Sequence, residues 1–81
     1  KNNLFNGERT EYYPNGKVYK KERLINGDFE GAQEYFKEDG KPWLTANYKN
    51  DELHGKTLIY VNGTLSVTKI YNTNELVEII K

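Results

Sequence analysis

Three glycines recur along this chain at one fixed spacing. Gly7, Gly31 and Gly55 follow each other at intervals of 24 residues. Self-similarity at a constant period is typical of repeat architectures, in which each unit buries its apolar side only against its neighbours. The spacing therefore predicts a single repeat domain over residues 1–81, with units near residues 7–30, 31–54 and 55–78.

Each unit also contains two turn sequences. Asn-Gly and Asp-Gly pairs favour type I′ hairpin turns, because those turns need positive φ at both central residues. The pairs stand at equivalent positions, with Gly63 arriving one residue early: Asn15-Gly16, Asp39-Gly40 and Asn62-Gly63, then Asn26-Gly27, Asn50-Asp51 and Thr73-Asn74. The segments between the turns are rich in strand-forming residues. They predict strands near residues 4–13, 17–25, 29–36, 42–49, 53–60, 64–71 and 75–80.

The short turns also predict how the strands are arranged. Successive strands joined by a short turn are antiparallel neighbours. No stretch has the i, i+3, i+4, i+7 spacing of apolar residues that a helix needs. We therefore expect an all-β fold, a single-layer twisted antiparallel β-meander of about seven strands built from hairpin repeats of about 24 residues.

Equivalent positions predict which side chains hold the sheet together, because stacked repeats bury matching rows of residues. Three rows are aromatic or aliphatic: Tyr12, Phe36 and Tyr60; Leu24, Tyr48 and Tyr71; and Phe5, Phe29, Leu53 and Leu76. We expect an aromatic ring to lie across each of the period glycines and to leave no room there for a Cβ.

The two ends depart from the pattern. Glu78 stands where a fourth period glycine would, and the apolar residues around it predict a terminal strand that caps the last unit. At the other end only Leu4 and Phe5 precede the first glycine, so that edge is either frayed or follows a missing repeat. Because the chain starts at Lys1 and has no methionine, we expect it to be a piece of a longer protein.

Composition narrows the classes of function. Twelve basic and twelve acidic residues give a formal net charge of zero, so no overall field attracts nucleic acid or an anionic membrane. Without cysteine the chain has neither a disulfide nor a thiolate site. No apolar run approaches the ~20 residues that span a bilayer. We expect the chain as given to be soluble, while its compartment stays open, since a leader or lipid anchor could precede it.

The unit resembles the MORN repeat and, more closely, the bacterial MORN variant. It combines a glycine, an aromatic pair, a turn and a second aromatic residue further on. The matching segments cover nearly the whole chain: Tyr12-Tyr13-Pro14-Asn15-Gly16 with Leu24 to Gly31, Tyr35-Phe36 to Gly40 with Tyr48 to Gly55, and Ile59 to Gly63 with Tyr71 to Asn74.

The resemblance implies an extended sheet of hairpins, with no catalytic residue to carry over. It also implies scaffolding or, as proposed for such repeats, phospholipid binding. MORN repeats precede the catalytic domain of plant phosphatidylinositol phosphate kinases, and bacterial proteins made only of them are often named phosphatidylinositol-4-phosphate 5-kinase-like or antitoxin. A kinase needs a separate nucleotide domain for which this chain has no room, so these residues support neither name.

Side chains that could carry chemistry are few. His54 is the only histidine and lacks a second ligand or a nucleophile, so we expect a surface residue beside a turn. Glu11 and Glu34 flank the aromatic pairs, and we expect them on a solvated face, because an open sheet offers no pocket for an acid–base pair. The sequence therefore predicts no enzyme, no metal site and no cofactor.

Basic residues interleave with aromatic residues near the first hairpin. Lys20 and Lys21 stand beside Tyr13 and Tyr19, a combination that can meet lipid head groups or stack on nucleic acid bases. Period-2 alternation, however, sends the two lysines to opposite faces, and glutamates lie close in sequence. We therefore favour a solvated surface over an anion site.

Trp43 replaces Tyr19 of the first unit and Ser66 of the third. It either fills a gap in the second face or is an exposed anchor for a partner, since tryptophan and tyrosine dominate binding hot spots.

We expect a non-enzymatic module for protein–protein interaction or scaffolding, which binds through an extended aromatic sheet face or an edge strand. The candidate binding residues are Trp43, Tyr13, Tyr19, Lys20 and Lys21. Two alternatives stay open: a module that binds phospholipid at a membrane surface, and an accessory repeat domain of a larger protein. Self-association through an edge strand is a further option, and nucleic acid is not an expected partner.

Overall fold

The computed structural model describes residues 5–81 and contains eight strands in one sheet. Their bounds are β1 Gly7–Tyr12, β2 Val18–Ile25, β3 Asp28–Phe29, β4 Gly31–Phe36, β5 Pro42–Lys49, β6 Glu52–Val61, β7 Thr64–Asn72 and β8 Glu75–Ile80. Neighbouring strands follow the order β1-β2-β4-β5-β6-β7-β8, β3 also pairs with β2, and every pair is antiparallel. The Cα atoms span 43 × 37 × 11 Å. The predicted all-β, single-layer meander is confirmed.

The strands differ from the prediction at two places. The segment near 29–36 is not one strand, because the ladder with β2 is interrupted at Glu30 and leaves β3 and β4 as separate pieces. The sheet therefore has eight strands instead of seven. Leu4, where the first strand was expected to begin, lies outside the described residues, and β1 begins at Gly7.

The hairpin turns are of two kinds. Four have positive φ at both central residues, as type I′ turns require: Asn26-Gly27, Asn50-Asp51, Asn62-Gly63 and Thr73-Asn74. In the turns that end at Gly16 and Gly40 only the glycine has positive φ, so the prediction of type I′ geometry is wrong there. These loops hold one residue more, and their backbone closes from the N–H of Tyr13 or Lys37 to a carbonyl four residues later. This difference explains why Gly63 comes one residue early.

Two of the three period glycines pair with an aromatic residue, as expected. Gly31 pairs with Tyr48 and Gly55 with Tyr71, while Gly7 pairs with an aliphatic residue, Leu24. On its other side, each of these partners pairs with the next predicted row, which contains Phe29, Leu53 and Leu76. Two of the three expected rows therefore run across the sheet in register.

The expected lack of space at the period glycines is not observed. A Cβ built on Gly31 or Gly55 would have its nearest heavy atom at 3.8 Å, which is ordinary contact, and one on Gly7 would meet nothing within 4 Å. Gly31 has φ +87° and Gly55 φ +95°, a region that side-chain-bearing L-residues rarely adopt. The glycine period therefore reflects backbone conformation rather than packing.

Where β2 and β4 separate, hydrogen bonds from one side chain take the place of the backbone hydrogen bonds between the strands. The carboxamide oxygen of Gln33 accepts the backbone N–H of Arg23 at 2.7 Å, and its NH₂ donates to the carbonyl oxygens of Arg23 and Gly31 at 3.1 Å. At the next bulge, the side-chain NH₂ of Asn47 donates to the carbonyl of Lys56 at 2.6 Å. Amide side chains therefore satisfy backbone groups that the bulges leave unpaired.

Alternation along the strands gives the sheet two unlike faces. The aromatic face carries three rows: Glu11, Lys20, Tyr35, Leu44, Ile59 and Val67; Arg9, Glu22, Gln33, Ala46, Thr57, Lys69 and Ile79; and Leu24, Tyr48, Tyr71 and their partners. The polar face carries Thr10, Lys21, Glu34, Thr45, Leu58 and Thr68 in one row, with Arg23 and Lys56 beside it.

In the described part of the chain, the buried residues all lie in the middle of the aromatic face, and they are Glu22, Leu24, Gln33, Ala46 and Thr57. Within residues 5–81 no second layer covers this face, so large side chains such as Tyr48 are only half-buried. Tyr12 was expected in the core but is 63% exposed, because β1 is an edge strand with a neighbour on one side only. Its counterparts Phe36 and Tyr60, on inner strands, are half-buried.

Backbone hydrogen bonds link each unit to the next. In each unit, the last residue of the second turn donates its backbone N–H to the carbonyl of a residue in the Phe5 row, 22 or 21 positions earlier in the chain. The bonds run from Gly27 to Phe5, from Asp51 to Phe29 and from Asn74 to Leu53, at 2.8–2.9 Å. The side chains of Asp51 and Asn74 also accept the N–H of the same residue, at 3.2 and 2.8 Å. These paired bonds fix the stacking of the units.

The last strand forms as predicted, but its capping role is only partly seen. β8 pairs along β7 and so covers the edge of the third unit. All six of its residues are exposed, however, whereas capping repeats present a polar outer surface. β8 is therefore an apolar edge.

Candidate functional site

Two exposed aromatic side chains of the aromatic face lie where strands leave the turns ending at Gly16 and Gly40. Bulges at these positions insert Tyr19 into β2 and Trp43 into β5, next to the paired residues Lys20 and Leu44. An inserted residue at a bulge re-aims the neighbouring side chains. The period therefore repeats a bulge as well as a turn, and it places a large ring at the bulge twice.

Four rings form two contacting pairs at this end of the face. The ring centroids of Tyr13 and Tyr19 are 5.0 Å apart, and those of Tyr35 and Trp43 are 6.2 Å apart, both tilted. Tilted rings within about 7 Å attract each other beyond their burial. Tyr19 is 39% exposed and Trp43 37%. We call Tyr13, Tyr19, Tyr35 and Trp43 the aromatic shelf.

Tyr13 is anchored rather than free. Its hydroxyl donates a hydrogen bond to the backbone carbonyl of Phe36 at 2.7 Å, and this bond links the first unit to the second. Desolvation raises the pKa of Tyr13, and the charge of Glu38 adds to this. The expectation that Tyr13 serves as a binding residue is therefore weakened, because its polar end is already used within the sheet.

Tyr35 is the shelf residue that pairs with a residue on each neighbouring strand. It stands between Lys20 and Leu44 in the register of the sheet. Burial raises its pKa, and the charges of Glu22, Tyr48 and Tyr19 contribute in that order. Its neutral hydroxyl has no hydrogen-bond partner among residues 5–81, nor have the Tyr19 hydroxyl and the Trp43 indole N–H. The shelf therefore offers three free donors on partly exposed rings.

The two lysines of the predicted patch lie on opposite faces, as alternation predicted. Lys20, on the aromatic face, places its Nζ 3.4 Å from Glu22, 3.9 Å from Glu11 and 5.6 Å from the Tyr19 ring centroid. Lys21, on the polar face, is in register with Thr10 and Glu34. The structure therefore does not bring the two lysines together.

A cluster of charged side chains lies beside the aromatic shelf, towards the middle of the aromatic face. The carboxylate of Glu22, buried in the sheet, accepts two hydrogen bonds from Arg9 at 2.6 and 3.0 Å. This hydrogen bond raises the pKa of Arg9. Both oxygens of Glu22 are engaged, because the second contacts Lys20. Cations and carboxylates thus neutralise each other at this end of the sheet.

The remaining candidates are placed elsewhere. His54 is exposed on β6 and lines a shallow hollow of about 210 Å³ with Lys49, Asn50, Glu52 and Thr73. Glu11 and Glu34 lie on opposite faces, so they do not form a pair. In the described part of the chain, no group of three or more His, Cys, Asp or Glu side chains could hold a metal ion. Residues 5–81 also contain no helix that could cross a membrane.

Two residues of this region were not predicted. Gln33 is the most deeply buried side chain, and Tyr35 completes the shelf. The available signal for Tyr35 was its position one residue before Phe36, within the aromatic pair of the unit. Strand alternation puts it on the same face as Leu44. No comparable signal identified Gln33, because a glutamine on a strand is usually solvated.

Comparison with known proteins agrees with this geometry. A family model described as the MORN repeat variant matches the chain twice, over residues 5–26 and 29–50. Each match runs from a residue of the Phe5 row to the first residue of a turn, and the second match begins 24 residues after the first. No curated protein and no solved structure matches the chain. Because the two matches cover more than half of the sequence, the chain belongs to the family of MORN repeat variants.

Proposed function

We propose that this chain is a non-enzymatic binding module whose aromatic face receives a protein partner. The observation that carries the proposal is a single-layer sheet with one face rich in aromatic and aliphatic side chains and, among residues 5–81, no second layer over it. A sheet that is apolar on one side is ordinarily buried against another layer. A partner that packs on this face would supply that layer.

The aromatic shelf is where we place the binding anchor. Tyr19 and Trp43 present rigid rings that are more than one-third exposed, with donors that no described residue uses. Tyrosine and tryptophan contribute much of the binding energy at interfaces, because each combines a large apolar area with a polar handle. Lys20, beside Tyr19, would extend the anchor, whereas Lys21 on the polar face would not take part.

A protein partner is favoured over an anionic membrane. Binding to acidic lipids needs clustered, unpaired cations near the surface. On the aromatic face both Lys20 and Arg9 contact the buried carboxylate of Glu22, and the chain has no net charge. This charge balance supports recognition by packing and hydrogen bonds.

The experiment compares the two faces. The chain is immobilised as wild type, as Tyr19→Ala/Trp43→Ala, and as the polar-face control Glu34→Ala/Lys56→Ala, and each is offered to extracts and, separately, to neutral and anionic vesicles. We expect a protein that binds wild type and the control but not the aromatic-face variant, and no vesicle binding. Thermal melts of all three proteins show whether a loss of binding is a loss of folding.

Two results would oppose the proposal. One is binding to anionic vesicles that rises with acidic lipid content, which favours the membrane-surface alternative. The other is a large drop in melting temperature for Trp43→Ala alone, which would make that ring a structural filler.

A further inference from the structure

Asparagine is followed by glycine at four places in the chain, and the structure restrains these pairs to different degrees. The pairs begin at Asn6, Asn15, Asn26 and Asn62. A side-chain amide is lost most readily from this dipeptide, because a glycine presents its backbone nitrogen with no side chain in the way. The reaction needs a carboxamide that can rotate, a following N–H that can leave its hydrogen bond, and a turn that can open.

The pair at Asn15 is held at both of its reacting groups. The carboxamide of Asn15 donates to the backbone carbonyl of Glu38 and accepts the N–H of Lys17, both at 2.9 Å. The N–H of Gly16 donates to the carbonyl of Tyr13, also at 2.9 Å. Neither the electrophile nor the nucleophile can move before these bonds break.

The pairs at Asn26 and Asn6 are each held at one group. The N–H of Gly27 donates to the carbonyl of Phe5 at 2.9 Å, in one of the bonds that link the units. The carboxamide oxygen of Asn6 accepts the backbone N–H of Asn26 at 2.9 Å. Opening either pair therefore also disturbs contacts outside its own turn.

The pair at Asn62 lacks such restraints. It forms the exposed tip of the hairpin between β6 and β7, where Asn62 has φ 53°. In the described part of the chain, neither the carboxamide of Asn62 nor the N–H of Gly63 has a hydrogen-bond partner. The flanking Val61 and Leu65 are 55% and 51% exposed. Segments with few contacts and exposed hydrogen bonds open at the lowest free energy.

We propose that Asn62 is a site of spontaneous deamidation, and that the folded chain reacts there first. The backbone nitrogen of Gly63 attacks the side-chain carbonyl carbon of Asn62. A C–N bond forms within the new ring while the bond from this carbon to the NH₂ group breaks, and ammonia leaves with the proton of the Gly63 N–H. Water then opens the cyclic imide at either of its carbonyl carbons, which gives aspartate or isoaspartate.

The reaction changes both the charge and the backbone of this turn. Either product adds a negative charge to a chain whose formal net charge is zero, close to Lys41, whose Cδ is 3.3 Å from the position that a Cβ on Gly63 would take. Isoaspartate also lengthens the backbone by a carbon, in a two-residue turn that sets the register of Val61 with Thr64. The modification thus alters the turn next to Lys41, while the reaction itself does not depend on the proposed function.

The test compares the asparagines within one protein. Trypsin places Asn15, Asn26 and Asn62 on separate peptides, residues 10–17, 24–37 and 57–69. Wild type is incubated in mildly alkaline buffer, folded and in parallel unfolded in urea, and mass spectrometry follows the conversion of each amide to an acid. In the folded chain we expect Asn62 to react at least about tenfold faster than Asn15, whose turn must break two side-chain hydrogen bonds to open. In urea the three should react at similar rates.

Two variants assign the charge change. Asn62→Gly has no amide to lose and keeps a dipeptide that type I′ turns accept, and Asn62→Asp marks where the deamidated chain elutes in anion exchange. Aged wild type should gain an acidic species at the Asn62→Asp position, and Asn62→Gly should gain none over the same period. Equal rates at the three asparagines of the folded chain would overturn the proposal. So would faster loss at Asn15 or Asn26, or an acidic species that forms as fast in Asn62→Gly.

Discussion

The side chain of Gln33 pairs with the backbone of Arg23 in the way that another strand would. Its carboxamide accepts the Arg23 N–H at 2.7 Å and donates to the Arg23 carbonyl at 3.1 Å, with none of the residue exposed. A buried backbone group without a partner costs about 1–3 kcal/mol. One polar side chain thus bridges the point where the glycine bulge opens the sheet.

Replacing Gln33 by leucine should therefore destabilise the fold by about 1–3 kcal/mol, because the buried N–H of Arg23 loses its partner. The Arg23 carbonyl keeps a hydrogen bond from the N–H of Glu30 at 3.1 Å. Urea unfolding measures the change. Glu34→Leu, the neighbouring position on the polar face, serves as control and should change stability by less than about 0.5 kcal/mol. Equal losses for both variants would show that the carboxamide bonds contribute little.

Substitutions of Gly31 show whether glycine is needed there for its backbone conformation or for lack of space. Its φ is +87° with no close contact, so a residue that tolerates positive φ should be accepted better than one that does not. We expect Gly31→Val to cost at least about 1–2 kcal/mol and Gly31→Asn clearly less, since asparagine already has positive φ at positions 26, 50 and 62. Asparagine and valine both place a side chain at this site. A similar loss in thermal stability for both variants would therefore show that lack of space, and not the positive φ, is the reason for the glycine.

Thr57 should gain stability from losing its hydroxyl. Its Oγ1 is buried and has no hydrogen-bond partner among residues 5–81, and valine has nearly the same shape without the polar group. We predict that Thr57→Val raises the free energy of unfolding by about 1 kcal/mol, as measured in urea. Thr45→Val, on the polar face, is the matched control and should be near neutral. A loss of stability in Thr57→Val would mean that the hydroxyl makes a favourable contact.

Tyr35 should make stability fall at alkaline pH. Burial raises its pKa in the folded state, so the folded chain keeps this proton to a higher pH than the unfolded chain, whose tyrosines titrate near pH 10. The contribution is fully present below about pH 10 and is lost as the pH rises through the folded-state pKa. Melting temperatures between pH 8 and about 11.5 should fall less steeply for Tyr35→Phe than for wild type. Parallel curves would contradict the burial of this hydroxyl.

The period made much of this fold predictable. Register in a repeat sheet follows from the spacing of equivalent residues, and the expected aromatic residue across a period glycine is found at Gly31 and Gly55. The face assignments of Lys20 and Lys21 followed from alternation alone.

Burial within a row was less predictable, because equivalent positions do not have equivalent neighbours. Tyr12 matches Phe36 in the period but belongs to an edge strand, which removes one neighbour and exposes the ring. The split at Glu30 and the role of Gln33 depend on how far a positive-φ glycine opens the ladder. That opening is a three-dimensional consequence of the bulge and leaves no pattern in the spacing.

The aromatic shelf was predicted in part. Trp43 and Tyr19 stand out by composition, and both are exposed on the aromatic face. The bulges that bring Tyr19 to Tyr13 and Trp43 to Tyr35 lie three residues after Gly16 and Gly40, and the third unit has a bulge at the same distance from Gly63. The engagement of the Tyr13 hydroxyl by Phe36 joins residues 23 positions apart, and only the register of the folded sheet sets that contact.

The most direct test of the binding face uses Trp43, the only tryptophan in the chain. Its fluorescence reports on the aromatic shelf without any substitution, and acrylamide should quench it readily in the free protein because the residue is 37% exposed. When a partner isolated by its dependence on the aromatic face is added, we predict a blue shift of the emission and strong protection from quenching. Saturating binding that leaves both the emission and the quenching unchanged would contradict the account.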